Sequence, residues 1–139
     1  LVERMVKEFD RNGRAAEGGF YDYPTGRKKT LWPELKKLFE KPGVAWDMQD
    51  LKDRLLFRQA VETARCLSEG VLTTVHDANI GSIFGIGFPA YTGGAMQFIY
   101  GMGVDAFIAR ADQLAARYGA GFALGDAVKA AIRQHEPRW

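Results

Sequence analysis

Hydrophobic residues recur at helical spacing along most of this chain, and this pattern predicts an all-α fold. The clearest helix runs from about Asp50 to Glu69, with Asp50 as its N-cap and Gly70 just beyond its end. Its buried stripe repeats every three or four positions and comprises Leu56, Ala60, Ala64, Leu67 and Val71. Charged residues recur at the same steps on another face, and we interpret them as a solvated helix surface.

The same periodicity predicts further helices along the chain. They cover residues 1–11, 31–40, 75–84, 105–118 and 126–134, and Thr74 is the predicted cap of the third. One more helix begins near Gly93 or Gly94 and ends near Gly101 or Gly103. An extended aromatic piece at 18–24 and a polar, basic linker at 25–30 separate the first two. No run alternates at period two for more than a few residues, so no β-α-β unit is predicted. The chain opens on Leu1 with a helical pattern already under way, so we expect a piece of a longer protein.

The stretch Ile83–Gly94 reads IFGIGFPAYTGG, and the purpose of its four glycines decides how the chain is interpreted. A dinucleotide loop needs G-x-G-x-x-G, but Ala90 stands at the third position, and no Gly-Lys-Ser/Thr is present. Both motifs also need a preceding strand, whereas the residues before this stretch are predicted to be helical. We therefore predict a tight helix–loop–helix corner. Gly85 and Gly87 end one helix, and Gly93-Gly94 opens the next where a side chain would collide with a neighbour.

Composition and charge narrow the classes of function. Hydrophobic content of 47% and charged content of 26% are ordinary for a globular protein. A net charge of +2 is too small to suggest a nucleic-acid binder, and we interpret the basic run Arg27-Lys28-Lys29 as a solvated loop. No apolar run approaches the length of a membrane span, and no signal-peptide pattern opens the chain. With Cys66 alone no internal disulfide forms, which fits a reducing compartment, and we expect the cytoplasm.

Candidate chemistry is sparse. His76 and His135 are far apart in sequence, and we favour a surface or capping role for His76, because its neighbour Asp77 points elsewhere on a helix. Cys66 lies near the apolar face of the long helix and is interpreted as a small core residue. No spacing of His, Cys and carboxylates suggests a metal site. We therefore assign no catalytic, cofactor-binding or metal-ligating residue to this chain.

Two ordered motifs nevertheless carry a family resemblance. The run RLLFRQAVETARCLSEGV, followed by DANIGSIFGIGFPAYTGG, resembles the C-terminal helical region of 3-hydroxyacyl-CoA dehydrogenases. It is most similar to the α subunits of multifunctional fatty-acid oxidation complexes, in which this module occurs twice. Asn79 stands where the family usually has Asp. The chain end, His135-Glu136-Pro137-Arg138-Trp139, is also similar to that of the family.

The resemblance implies a domain organisation. Residues 1–24, with Gly18-Gly19-Phe20-Tyr21, resemble the end of a first helical copy; residues 25–48 are a linker with a short helix; and residues 49–139 resemble the second copy. The expected fold is the helical bundle of the 3-hydroxyacyl-CoA dehydrogenase C-terminal domain. Asp53 occupies the position that resembles a supporting Asn of the catalytic copy, and this departure gives no reason to assign it a catalytic role.

The resemblance also implies a function: NAD-dependent oxidation of 3-hydroxyacyl-CoA to 3-oxoacyl-CoA in fatty-acid β-oxidation. NAD would be bound by an upstream Rossmann domain, so this chain alone is expected to be inactive. Its expected partners are that domain, the first helical copy and the acyl-CoA substrate, while a hydratase part and a thiolase subunit stay open. Whether His76, Phe88 or Tyr91 contacts the substrate also stays open.

The isolated chain is expected to expose its packing face and to self-associate. An alternative interpretation is a free-standing helical interaction or dimerisation module that has the fold without the enzyme.

Overall fold

The computed structural model describes residues 1–137 and divides the chain into two compact units, Leu1–Ala45 and a second that begins at Trp46. Seven α-helices, three short 3₁₀ turns and one two-stranded sheet make up the regular structure of the described residues, which confirms the prediction of a helical fold. Arg138 and Trp139, part of the predicted family-like chain end, lie outside the described residues.

The first unit contains two short helices and a small hairpin. Its elements are α1 (Val2–Lys7), β1 (Tyr21–Asp22), β2 (Thr30–Leu31) and α2 (Glu34–Phe39). Both helices are shorter than predicted. The strands pair antiparallel, Tyr21 with Leu31 and Asp22 with Thr30, so the predicted basic linker is the loop of a hairpin. Two-residue strands leave no alternating pattern to detect, which is why periodicity missed them.

Aromatic rings and Arg11 hold the first unit together. The ring of Phe9 packs against Trp32 and Phe39, at centroid distances of 5.4 and 6.3 Å. Arg11 lies 4.5 Å from the Trp32 ring centroid, and its Nε donates to the Gly19 carbonyl at 2.6 Å. Residues 25–45 therefore share a compact unit with residues 1–24. The assignment of residues 1–24 to the end of a first helical copy stays a prediction.

The second unit is a bundle of five helices. They are α3 (Met48–Ser68), α4 (Val75–Ile86), α5 (Ala95–Met102), α6 (Val104–Tyr118) and α7 (Asp126–Gln134). The prediction that Asp50 caps α3 is wrong: Asp47 is the cap, and its carboxylate accepts from the N–H groups of Gln49 and Asp50. The C-terminal end of α3 follows the prediction that Gly70 lies just beyond it. Gly70 adopts φ 74°, and the N–H of Val71 donates to the Cys66 carbonyl at 2.9 Å.

Stacked aromatic rings fill the core of the second unit. Phe57 and Phe107 are fully buried, and their rings stack at 4.6 Å, while Phe98 packs edge-on against both. Ala60, Ala64 and Leu67 of the predicted stripe are buried beside them. Val71 is not, because it follows the turn at Gly70 and is 70% exposed.

Candidate packing surface

Two side chains of α4 cap the N-terminus of α5. Asn79 Oδ1 accepts from the backbone N–H of Met96 at 2.9 Å and of Gln97 at 3.0 Å. Ser82 Oγ accepts from Ala95 N–H at 3.0 Å. The first N–H groups of a helix have no partner within it, and the N-cap of α5 is Gly94, which has no side chain to supply one. The cap therefore comes from a neighbouring helix and locks α4 to α5.

Gly94 makes that lock sterically possible. Its φ is 110°, and a Cβ built on it would lie 2.6 Å from the Cα of Asn79, far inside contact distance. Gly93 has φ 81° and also has a crowded Cβ position, so the prediction that this pair opens a helix at a close approach is confirmed. Gly87 ends α4 in the left-handed region at φ 72°, as predicted.

Gly85 is different, and the prediction that it ends a helix is wrong. It lies inside α4, is exposed, and has open space where a Cβ would be. Gly81, one turn earlier, has the same open surroundings. These two glycines leave a smooth strip on α4 where another backbone has room to approach.

The N–H groups at this corner are already bonded, so the stretch does not offer a phosphate cradle. Besides the three that α4 side chains accept, Gly94 N–H donates to Thr92 Oγ1 at 3.2 Å, and Gly93 N–H to the Ala90 carbonyl at 3.0 Å. A phosphate loop needs such groups to point freely at its ligand. The geometry supports the packing interpretation, and it does not fit a nicotinamide dinucleotide at this stretch.

A buried ionic network joins α3 to α6. Arg110 Nε donates to Asp53 Oδ2 at 2.7 Å, and its NH2 group donates to Asp50 Oδ1 at 3.0 Å. Tyr118 donates its hydroxyl to the other Asp50 oxygen. Asp50 and Asp53 are 6% and 7% exposed, and Arg110, together with Arg117 at 3.7 Å from Asp50, supplies the positive charge that makes their burial tolerable. Sequence reasoning missed this network because Asp53 and Arg110 are 57 positions apart.

The network shifts the titration of its members. The hydrogen bond from Tyr118 and then that from Arg110 hold the pKa of Asp50 below its ordinary value. Correspondingly, the hydrogen bond to Asp50 raises the pKa of Tyr118. Asp53 Oδ1 also accepts from Gln49 at 2.7 Å, so both of its oxygens are occupied. These contacts give Asp53 a structural task.

Four exposed apolar side chains lie around α4 and on the turn before it, and together we call them the apolar face. They are Val71, Ile80, Phe84 and Ile86, which are 70%, 45%, 83% and 57% exposed. Ile80 and Phe84 are one helical turn apart and lie on the same side of α4. Ile86 comes two residues after Phe84 and so points to another side of α4, where Val71 and Ile86 line an almost wholly apolar groove of about 310 Å³ with Cys66 and Gly81. Large exposed side chains grouped in this way mark an interaction surface.

The residues singled out from the sequence do not converge. His76 is exposed, and Cys66 is half-buried in the wall of the groove. At the end of α7, Nδ1 of His135 lies 2.9 Å from the carbonyl oxygen of Ala131. Phe88 is buried in the unit's own core, whereas Tyr91 is 87% exposed. Within residues 1–137, no group of three or more His, Cys, Asp or Glu side chains is arranged to hold a metal ion. No helix of the described residues has the length and apolarity to cross a membrane.

Comparison with known proteins finds relatives that share one name, fatty acid oxidation complex subunit alpha. The chain is 36% identical over 112 residues to that of Shewanella oneidensis and 34% identical over 119 residues to that of Shewanella sp. strain MR-4. It is 32% identical over 124 residues to that of Vibrio cholerae serotype O1, a match that covers 88% of this chain. No family model matches.

The relatives are much longer than the matching part. The Shewanella matches cover 79% of this chain and 16% of the relative, and the Vibrio match covers 17% of its relative. The chain thus spans about a sixth of the length of the curated relatives it matches. The resemblance seen in the sequence is confirmed: the chain is a homologue of one segment of the fatty acid oxidation complex α subunits.

Proposed function

We propose that this chain is the C-terminal helical part of a 3-hydroxyacyl-CoA dehydrogenase of fatty-acid β-oxidation, and that it supports catalysis without carrying it out. The observation that carries the proposal is the identity of 32–36% to fatty acid oxidation complex α subunits, combined with coverage of only 16–18% of their length. The reaction would be the NAD-dependent oxidation of a 3-hydroxyacyl-CoA to a 3-oxoacyl-CoA.

The apolar face supports a packing role within such an enzyme. Burying a large apolar side chain contributes about 1.5–3 kcal/mol, so Val71, Ile80, Phe84 and Ile86 together offer a substantial driving force for association. The open strip at Gly81 and Gly85 lets a partner approach closely beside them. The corner locked by Asn79 and Gly94 keeps α4, which bears most of the face, at a fixed angle to α5.

The rest of the proposal concerns parts of the enzyme outside this chain. NAD would be held by an upstream Rossmann domain, since the hydrogen-bonded corner at residues 83–94 does not fit it. The partners would be that domain, a first helical copy and the acyl-CoA substrate, in the cytoplasm. A thiolase subunit would be a further partner if the enzyme belongs to a complex.

Reconstitution tests this function. The chain, the polypeptide encoded upstream of Leu1, and their mixture are each assayed for NADH oxidation with acetoacetyl-CoA, after circular dichroism has shown that both pieces are folded. We expect activity to appear, or to rise at least tenfold, only in the mixture. Phe84→Glu in the chain is expected to reduce that gain. Met102→Glu, at an exposed position outside the apolar face, is the matched control and is expected to leave the gain unchanged.

Two results would contradict the proposal. Activity of the chain alone would mean that it carries an active site. An inactive mixture of two folded pieces would instead favour a free-standing helical interaction module.

A further inference from the structure

The hairpin of the first unit places a basic loop opposite Arg14. β1 and β2 bring Tyr23, Pro24, Arg27 and Lys29 to one end of the hairpin, and the short 3₁₀ turn Arg14–Ala16 brings Arg14. Together with Glu17 these residues line a concave pocket of about 580 Å³, which we call the basic pocket. Its volume lies within the range of roughly 300–1,000 Å³ that is usual for small-molecule sites. The basic run Arg27-Lys28-Lys29 is exposed in the hairpin loop, as the sequence predicts, and Arg27 and Lys29 also line this pocket.

The backbone around the basic pocket is held in place from behind. Arg11 is largely buried; its Nε donates to the Gly19 carbonyl at 2.6 Å, and its NH2 group donates to the Tyr21 carbonyl at 3.1 Å. Tyr23 N–H donates to the Glu17 carbonyl at 3.2 Å, which ties the hairpin to the Arg14 turn. Glu17 itself has φ 57°, a left-handed conformation that a residue with a side chain rarely adopts. The pocket is therefore built on fixed backbone.

Charge in the basic pocket is unbalanced. The pocket lining contains three cations, Arg14, Arg27 and Lys29, and a single carboxylate, Glu17. Within residues 1–137, none of the three cations lies within 4.0 Å of a carboxylate oxygen. Other cations of the same unit do pair: Lys7 with Glu3 at 2.6 Å and Lys37 with Glu34 at 2.7 Å. Like charges that converge on a concave surface concentrate a positive potential, which attracts an anion with more than one negative charge.

Aromatic surface accompanies the charge. Tyr23 is half-buried in the pocket wall, its ring 6.4 Å from that of Tyr21, and Lys29 Nζ lies 4.7 Å from the Tyr21 centroid. A planar base can stack on such a ring while its phosphates reach Arg14 and Arg27. We propose that the basic pocket binds the phosphates and base of an adenine nucleotide, and that its biological source is the nucleotide end of coenzyme A. The choice of coenzyme A rests on the proposed function, whereas the nucleotide site does not.

Titration calorimetry of the whole chain at low salt tests this inference. The probes are coenzyme A, ADP, inorganic pyrophosphate and pantetheine, which lacks the nucleotide. We expect coenzyme A to bind most tightly and pantetheine not at all. Arg27→Gln and Arg14→Gln should each weaken coenzyme A binding about tenfold, the loss expected for one charge-assisted hydrogen bond. Lys28→Gln removes the same charge one position away, outside the pocket, and should change binding less than twofold.

The outcomes separate the inference from the proposed function. The site would be refuted if Lys28→Gln lost as much binding as Arg27→Gln. It would also be refuted if neither coenzyme A nor ADP bound at millimolar concentration. Pyrophosphate that binds as tightly as ADP would overturn the role of the base, and ADP that binds as tightly as coenzyme A would overturn the link to coenzyme A. Binding that is sensitive to Arg27, in a chain that fails to reconstitute dehydrogenase activity, would keep the site and reject the function.

Discussion

Gly94→Ala should be among the most destabilising single-methyl substitutions in this protein. The new Cβ would lie 2.6 Å from both Cα and Cβ of Asn79, and backbone at that position cannot move aside as a flexible side chain would. α4 and α5 would have to separate, and the hydrogen bonds from Met96 and Gln97 to Asn79 would lengthen or break. The φ of 110° adds strain for any residue that carries a side chain.

The magnitude follows from three contributions. Strain at a backbone conformation that favours glycine costs about 1–3 kcal/mol. Overpacking at a rigid contact costs typically about 1–3 kcal/mol. Weakening a helix cap costs about 0.5–2 kcal/mol. These contributions overlap, because one shift of α5 relieves the clash and breaks the cap together, so we expect a loss of about 3–5 kcal/mol in the free energy of unfolding.

Gly85→Ala is the matched control, from the same glycine-rich stretch. Gly85 is exposed within α4, has ordinary helical backbone and has open space at its Cβ position. Alanine there should stabilise the helix by about 0.5–1 kcal/mol. Urea unfolding followed by circular dichroism at 222 nm measures both variants. A Gly94→Ala protein within 0.5 kcal/mol of the parent, or equal effects of the two substitutions, would refute the close-approach reasoning.

Three further predictions use the same unfolding assay. Asn79→Asp keeps the acceptor and adds a charge that favours a helix N-terminus, so stability at pH 7 should be unchanged or higher, whereas Asn79→Leu should cost about 1–3 kcal/mol by leaving two N–H groups unpaired. The pKa of Asp50 is lower in the folded than in the unfolded protein, so its stabilising effect is fully present above the ordinary value of 3.8 and is lost as the pH falls through the folded pKa. Asp50→Asn should therefore flatten the dependence of the free energy of unfolding on pH below about 4. An unchanged dependence on pH in this variant would refute this. Phe84→Ser should change the free energy of unfolding by less than about 0.5 kcal/mol while reducing self-association in sedimentation. Phe88→Ala, in the core, should cost about 3–5 kcal/mol of stability. The opposite pattern would mean that Phe84 does not belong to an exposed interaction surface.

Local signals predicted much of the fold. α7 begins and ends where the sequence pattern places it, at Asp126 and Gln134. Thr74 caps α4 as predicted, because a threonine before an apolar run is a strong start signal. The end of α3 just before Gly70 follows from the same kind of local chemistry. In each case one residue close in sequence determines the backbone.

Features that depend on distant residues were not predictable in this way. Asp50 has the side chain of an N-cap, but the N-cap of α3 is Asp47, three residues earlier. Asp50 instead binds Arg110 and Tyr118 of another helix. Asn79 gives no sign in sequence that it caps α5, because its partners lie 17 and 18 positions away. The short hairpin at Tyr21–Leu31 falls below the length at which a strand period can be recognised.

Hydrogen exchange on the reconstituted protein tests the central claim most directly. Amide exchange of the chain is compared alone and mixed with the polypeptide encoded upstream of Leu1, under conditions in which both are folded. The account predicts slower exchange in the mixture along residues 71–86, which bear the apolar face, and little change in α7. Unchanged exchange at residues 71–86 in an active mixture would contradict it, because the chain would then support the dehydrogenase through some other surface.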